Sequence, residues 1–256
     1  MQLTIIGSGT AIPVRARGYA GLYARVGQEQ VLLDSGPGTL QRLAAIGVTF
    51  RDLDRVCYTH CHPDHCLDLV SLLFAMRISP AEGRRHLAPR TKPLTIYGPP
   101  GLRALHAQLN AAYRGVLTPR SYALRIEEID ETVLELPGYR LRTHRMRHSI
   151  EAVGYRLEAQ GRVIAYSGDT EECDGVVALG RSADLLALEC STTDEHQVDG
   201  HLTPSACGRV AAQSGCRRLV LTHFYPVFDD YDVLGRVRRH FQGPVTLAED
   251  GVTFEV

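Results

Sequence analysis

No apolar run in the sequence approaches the roughly 18 residues that a membrane-spanning helix needs, which excludes a helical membrane protein. The opening MQLTIIGSGT lacks the basic start and long apolar stretch of a secretion signal. Seven cysteines in 256 residues, an odd number in a long chain, do not form a disulfide framework. These absences together predict a cytoplasmic protein. Low-complexity segments are missing too, and no linker is strong enough to divide the chain, so residues 1–256 are expected to form one domain. A net charge of −1 gives no global attraction for a polyanion.

What remains is an ordinary globular composition, 44% hydrophobic and 22% charged, in a chain long enough to bury a sizeable core. Charge is uneven locally. Residues 77–92 hold Arg77, Arg84, Arg85, Arg90 and Lys92 against Glu82 alone, and YRLRTHRMRH adds Arg140, Arg142, Arg145 and Arg147. Each cluster reads either as solvated surface or as a rim that attracts phosphates.

The patterning predicts a strand over Gln2–Ile6, a glycine-rich turn in GSGTAIP, and a hairpin around VGQEQ ending in VLLDSGPGT. Leu40, Leu43, Ala44 and Ile46 have helical spacing, with Gly47 as the stop. DRVCYT reads as a buried strand, and residues 66–76 as a helix apolar on most sides, either core or a homodimer face. LTIYGPPG is a strand ending in a turn, followed by a helix over about 102–114. Strand signals dominate 123–167; DLLALEC and RRLVLTHF then flank a helix near 204–214, and a last helix lies near 230–240. Asp250-Gly251 suits a tight hairpin turn. The expected fold is α/β (α+β): two mixed β-sheets packed together and flanked by helices, a four-layer αβ/βα sandwich. A faint echo between VLLDSGPGT and VIAYSGDT, both strands ending near Ser-Gly, hints at two halves.

The segment YTHCHPDHCLDL carries the chemistry. In an extended chain His60 and His62 point the same way and can converge on one ion, while Cys61 points elsewhere. Pro63 ends the extended run, Asp64 is expected at a helix N-cap, and His65 in the first turn, so that both face a second ion. Imidazole and carboxylate without obligatory thiolate suit zinc, and less well manganese or iron, with positions left open for water. Further ligands are expected at strand ends: His148, Asp169 and His223 are the candidates. His86, His106, His144, His196 and His240 read as ordinary hydrogen-bonded histidines, Cys61 and Cys66 as packing residues, and Cys57 as core. Neither GSGTAIP nor DSGPGT has phosphate-loop or dinucleotide spacing, so both read as tight turns near the site.

HCHPDH matches the HxHxDH motif of the metallo-β-lactamase superfamily, and a histidine before GYRL, then SGDT, then LTHF follow in that family's order. Within the superfamily the chain most resembles ribonuclease Z, through GSGTAIP, IYGPPG, GDT, GHLT and LTHF. The resemblance implies two zinc ions: His60, His62 and His148 on the first, Asp64, His65 and His223 on the second, Asp169 bridging. Such a pair acidifies a shared water, and the resulting hydroxide attacks the substrate. Asp64 is expected to orient the nucleophile, and His201 in DGHLTPS to protonate the leaving group. The family's His-Glu-Ala-Thr motif reads LECS here: Glu189 is kept to orient His201, and Leu188 replaces the first histidine. The arginine clusters favour a phosphodiester substrate, either RNA or a small cyclic phosphodiester; lactone, thioester and β-lactam hydrolysis, or RNA binding without catalysis, are the rivals. His148 and Asp169 lie only 21 positions apart, which leaves no room for the long tRNA-gripping arm usual in bacterial ribonuclease Z.

Overall fold

A computed structural model describes residues 1–78, 90–228 and 230–256. The first half runs β1 (Gln2–Gly7), β2 (Gly21–Val26), β3 (Glu29–Leu33), α1 (Thr39–Ala45), β4 (Arg55–Cys57), α2 (Pro63–Cys66), α3 (Asp68–Arg77), β5 (Leu94–Gly98), α4 (Leu102–Ala112) and β6 (Leu124–Glu128). The second runs β7 (Val133–Leu136), β8 (Tyr139–Arg145), β9 (Val153–Ala159), β10 (Arg162–Tyr166), α5 (Asp174–Gly180), β11 (Leu185–Glu189), α6 (Pro204–Ser214), β12 (Leu219–Thr222), α7 (Val233–Arg238) and β13 (Val245–Leu247), before β14 (Thr253–Glu255).

Two seven-stranded sheets form, ordered β14-β1-β2-β3-β4-β5-β6 and β13-β12-β11-β10-β9-β8-β7. Each is antiparallel on one side and parallel on the other, and the change falls on β3 in the first sheet and β10 in the second. These are the two strands of the VLLDSGPGT and VIAYSGDT echo. Ligand sites of open α/β sheets favour the carboxyl ends of strands at such switch points, and the loops that follow β3 and β10 meet there.

The two-residue period explains why the sheets can be buried on both faces. Along β3, Val31 and Leu33 enter the core between the sheets while Leu32 faces the helices; along β11, Leu185 and Ala187 face inward while Leu186 and Leu188 face outward. Leu43 of α1, Leu69, Leu72, Leu73 and Met76 of α3, and Leu102 of α4 cover the first sheet. Val176 and Leu179 of α5, Val210 of α6, and Val233 and Val237 of α7 cover the second. The result is the expected αβ/βα sandwich. Two tyrosines fasten the sheets to each other below the site: Tyr155 donates to the Tyr58 carbonyl at 2.8 Å and Tyr166 to Asp34 Oδ2 at 2.9 Å.

Several local expectations are corrected. The Asp250-Gly251 turn makes no hairpin, because β13 and β14 belong to different sheets. Its carboxylate is instead a tie, accepting from Ser8 N and Oγ and from Gly18 N and pairing with Arg42. The helix expected over 66–76 is broken at Leu67 into α2 and α3, and the last helix shortens to Val233–Arg238. All seven cysteines are free.

Candidate metal centre

Strand β4 delivers Tyr58 and Thr59 into the interior, and the extended backbone beyond brings His60 and His62 to one side with ring centroids 4.8 Å apart. Cys61 packs against the outer apolar cluster instead. The N-cap of α2 is His62, not Asp64: Pro63 takes the first helical position, where its missing N–H costs nothing, and Asp64 falls in the first turn. Glycine at 36 is obligatory, since a Cβ there lies 2.0 Å from the Asp64 carbonyl oxygen.

The structure brings all seven sequence-predicted ligand candidates together. His60, His62 and His148 form one group of donor atoms, Asp64, His65 and His223 another, each spanning no more than 4.8 Å. Asp169 stands between them: its carboxylate oxygens lie 3.9 Å from His60 Nε2, 3.3 Å from His65 Nε2 and 3.4 Å from His223 Nε2. His148 donates Nδ1–H to the Gly200 carbonyl at 2.9 Å, which turns its Nε2 toward His62 Nδ1, 3.1 Å away. His223 holds a left-handed φ of 61°, costly for a residue with a Cβ and characteristic of constrained functional positions.

The donor set fits divalent cations. His60 Nε2, His65 Nε2 and Asp169 Oδ1 are buried without a hydrogen-bond partner among the described residues. Such orphans are rare in folded proteins unless an ion or water completes them. Burial pushes the Asp169 carboxyl up, but His223 and His65 outweigh it and hold it well below the usual carboxylate range. Burial opposes charge on His65, yet Asp169 and Asp34 raise its imidazole well above the ordinary value. Burial and then the His65 charge lower His60.

Asp34 is the functional residue that sequence reasoning missed. Its buried Oδ2 accepts from His65 Nδ1, Thr59 Oγ1 and Tyr166 Oη, each at 2.9 Å, while Oδ1 accepts from the Thr59 amide at 2.7 Å. The Thr59 hydroxyl, donating to Asp34, accepts in turn from His60 Nδ1 at 3.0 Å. One carboxylate therefore sets the tautomer of two histidines and leaves both Nε2 atoms facing the centre. The signal for it in the sequence is the DSGPGT echo, which by itself reads as a tight turn.

His201 and Glu189 also meet here. His201 Nδ1 donates to Glu189 Oε1 at 2.9 Å and lies 3.9 Å from Asp169 Oδ2. Glu189, closing β11, is 1% exposed and accepts as well from Thr170 N, Ser191 N and Ser191 Oγ. Burial lowers the His201 imidazole, but the Glu189 hydrogen bond and charge, with Asp169, raise it to about 9. Of the five histidines set aside from the sequence, His106, His144, His196 and His240 lie outside the donor groups, and His86 lies outside the described residues.

The arginine rim fares differently. Arg84 and Arg85 fall outside the described residues. Arg90 is buried and spends its guanidinium on the carbonyls of Arg51, Leu53 and Pro93, and Lys92 pairs with Asp54. Arg77 donates to the Gly115 carbonyl. Arg140 sits between Glu135 and Glu158, Arg142 lies 3.9 Å from Glu158, Arg145 pairs with Asp130 and Arg147 with Glu171. Each of these described side chains already has a protein partner, Arg142 the most distant one.

A family profile for a β-lactamase superfamily domain matches residues 29–224. The ribonuclease Z of Streptomyces avermitilis is 30% identical over 299 aligned positions, covering 97% of this chain and 95% of that protein. The metallo-β-lactamase fold protein YhfI from Bacillus subtilis superposes with a TM-score of 0.84 at 23% identity, covering 100% of this chain and 99% of the other. The short form of human tRNase Z gives 0.79 at 26% identity, with 100% and 99% covered. The fold, the convergent histidines and carboxylates and these likenesses agree: the chain belongs to the β-lactamase superfamily and is a ribonuclease Z-like hydrolase of the metallo-β-lactamase fold.

Proposed function

We propose that the protein is a binuclear, zinc-dependent phosphodiesterase of the cytoplasm that cleaves RNA as an endoribonuclease, with manganese or iron as substitute metals. The observation that carries this reading is the hydrogen-bonded pair of buried Glu189 and half-buried His201 beside a complete set of seven donors: a proton source next to a nucleophile-generating centre is what an alkoxide leaving group requires.

His60, His62 and His148 would hold one cation and Asp64, His65 and His223 the other, with Asp169 within reach of both. Bound there, divalent cations supply Lewis acidity, acidifying a water and offsetting charge that grows on a substrate oxygen. The protein's own part is preorganisation. Asp34 and Thr59 fix His60 and His65, the Gly200 carbonyl fixes His148, and Asp64 orients the nucleophilic water and accepts its proton. His201, held by Glu189 through Nδ1, presents Nε2–H to the departing oxygen. Its pKa of about 9 keeps that proton in place at neutral pH. Leu188 faces the outer core, so the carboxylate acts on His201 without a second histidine.

A small cyclic phosphodiester is the second reading, favoured by one feature: β9 and β10 join through a tight turn at Gln160-Gly161, leaving no arm for an RNA body. The S. avermitilis alignment, at 299 positions against 256 residues, likewise implies segments that this chain lacks. A panel of bis-p-nitrophenyl phosphate, a precursor tRNA with a 3′ trailer, a cyclic nucleotide, a lactone and a cephalosporin tests both. Turnover of the phosphodiesters alone supports the reading; turnover of lactone or cephalosporin alone refutes it. The stripe of Leu67, Phe74 and Ile78, each 46–49% exposed along α3, is proposed as the contact with a second copy of the chain.

A further inference from the structure

His201 forms one wall of a second feature. A cleft of about 350 Å³ opens beside it, between the loop 191–201 and the turn 225–227. That volume is near the lower end of small-molecule sites, roughly 300–1,000 Å³, and suits one ring system better than an extended chain. Val198 and Val227 face solvent on opposite walls, 53% and 60% exposed, and with Tyr225 and Pro226 they make the cleft apolar in an otherwise ionic neighbourhood. Its polar lining is small: the hydroxyls of Ser191 and Thr192 are spent on Glu189 and the Leu202 carbonyl, which leaves Thr193, His201 and the exposed His196 imidazole, the last without a hydrogen-bond partner among the described residues.

The cleft is built rather than incidental. Behind the turn, Phe224, Phe228 and Tyr231 stack edge to face with centroids 5.5 Å apart. Tyr231 then crosses to the opposite loop: its hydroxyl donates to Glu195 at 2.6 Å and accepts from the Asp194 amide at 2.9 Å. Arg236 lies over the Tyr231 ring at 4.5 Å and pairs with both Asp194 and Glu195. The two walls are thus fastened together, so their spacing is set before any ligand arrives.

We propose that this cleft is the leaving-group subsite, which takes the planar heterocyclic base of the nucleoside whose oxygen departs. The assignment rests on the phosphodiesterase reading above and gives it a polarity. In that reaction the water oxygen bonds to phosphorus as the bond from phosphorus to the leaving oxygen breaks. Asp64 takes a proton from the water, and the leaving oxygen takes one from His201 Nε2. Whatever is attached to that oxygen must therefore lie on the His201 side of the centre, where this cleft begins. Aliphatic and aromatic walls stack a flat ring on its faces, and the exposed His196 imidazole meets its polar edge.

The test uses metal-loaded full-length protein and short RNA substrates that lack the base on one side of the scissile phosphate. Removing the leaving-side base should lower kcat/KM about tenfold, the scale of one stacked base, whereas removing the base across the phosphate should change it little. Val227→Asp, at an exposed position that the fold tolerates, should slow the intact substrate and erase the leaving-side difference. Separately, adenosine should bind wild-type protein in a saturation-transfer NMR experiment and not bind Val227→Asp. Cleavage indifferent to the leaving-side base overturns the assignment, and so does failure of adenosine to bind the wild type. Adenosine binding that Val227→Asp abolishes, in a protein that cleaves no phosphodiester, keeps the subsite and refutes the phosphodiesterase reading instead.

Discussion

Asp34 makes no direct contact with the proposed cations, yet the substitution Asp34→Asn tests the whole arrangement. The asparagine must choose an orientation. The Thr59 amide, 2.7 Å from Oδ1, is a fixed donor and cannot turn away, so the asparagine oxygen must stay opposite it. The amide nitrogen then replaces Oδ2, facing His65 Nδ1, the Thr59 hydroxyl and the Tyr166 hydroxyl, all at 2.9 Å. The two hydroxyls can rotate to accept. His65 can accept only by moving its proton from Nδ1 to Nε2, the atom aimed at Asp169 and the centre. Once Thr59 no longer donates to position 34, its hydroxyl can turn to His60 Nδ1 and favour the same wrong tautomer there. The alternative orientation sets two buried donors against each other, at about 1–3 kcal/mol.

Loss of an orienting partner typically costs 10–100-fold in metal affinity. With two histidines affected, the upper end applies: about 100-fold, or about 2.7 kcal/mol. Competition for zinc against a chromogenic chelator measures it, and ring ¹⁵N shifts report the tautomer of His65. Tyr166→Phe is the control, since it removes one bond to Oδ2 without disturbing either tautomer; it should leave affinity within a few-fold. Wild-type zinc affinity in Asp34→Asn, with the Nε2 atoms still bare, would refute the reasoning.

Elemental analysis of purified protein should find about two divalent cations per chain, and chelation should abolish turnover; metal-free protein with full activity removes the mechanism. Glu189→Gln should shift the basic limb of the pH–rate profile. His201 works as its conjugate acid, so wild-type activity falls as pH rises through about 9. Without the carboxylate the two Glu189 contributions go and Asp169 alone opposes burial, so the basic limb moves to lower pH: turnover near pH 8 drops about tenfold or more while turnover near pH 6 stays within a few-fold. An unmoved limb would detach Glu189 from His201. Phe74→Glu should convert the proposed dimer to monomer in light scattering, and a chain monomeric without the substitution dismisses that interface. Gly168→Ala should cost well over 1 kcal/mol in chemical denaturation, because φ is +61° and a Cβ falls 2.4 Å from that of Thr59; an unchanged midpoint contradicts the packing.

The architecture was legible because strand periodicity survives burial on both faces: LLALE alternates between two cores exactly as a two-residue period demands, and the ligand-bearing motif is dense enough to read without a structure. The echo of Ser-Gly segments meant more than its weakness suggested, since it marks the strand in each sheet where antiparallel pairing gives way to parallel. Asp34 was hidden for the opposite reason. Its partners lie at positions 59, 65 and 166, and nothing local separates a carboxylate that orients histidines from one that closes a turn. Asp250 misled in the same way: Asp-Gly is a sound hairpin signal, but the strands on either side join different sheets.

The arginines carry the more general lesson. Counted along the chain, Arg140, Arg142, Arg145 and Arg147 look like a free cationic rim. The strand register decides otherwise, placing Arg140 opposite Glu135 on β7 and opposite Glu158 on β9, so that the cross-strand neighbours neutralise it. Arg145 and Arg147 find Asp130 and Glu171 just beyond the strand ends. Such exposed pairs add little to stability, but they cancel the local net charge that would attract a polyanion from a distance. A chain that also joins β9 to β10 by a tight turn therefore has neither an arm nor spare arginines in this segment with which to grip a large RNA. In that case groups at the centre itself carry more of the affinity, and the apolar cleft beside His201 is a described surface there that can recognise more of a substrate than its phosphate. The presence of a base next to the scissile bond, rather than the overall charge or length of the RNA, is then the main determinant of KM. A series of RNAs of increasing length but constant flanking bases should accordingly show a nearly flat KM, and a steep fall with length would restore the electrostatic grip that the pairing of these arginines argues against.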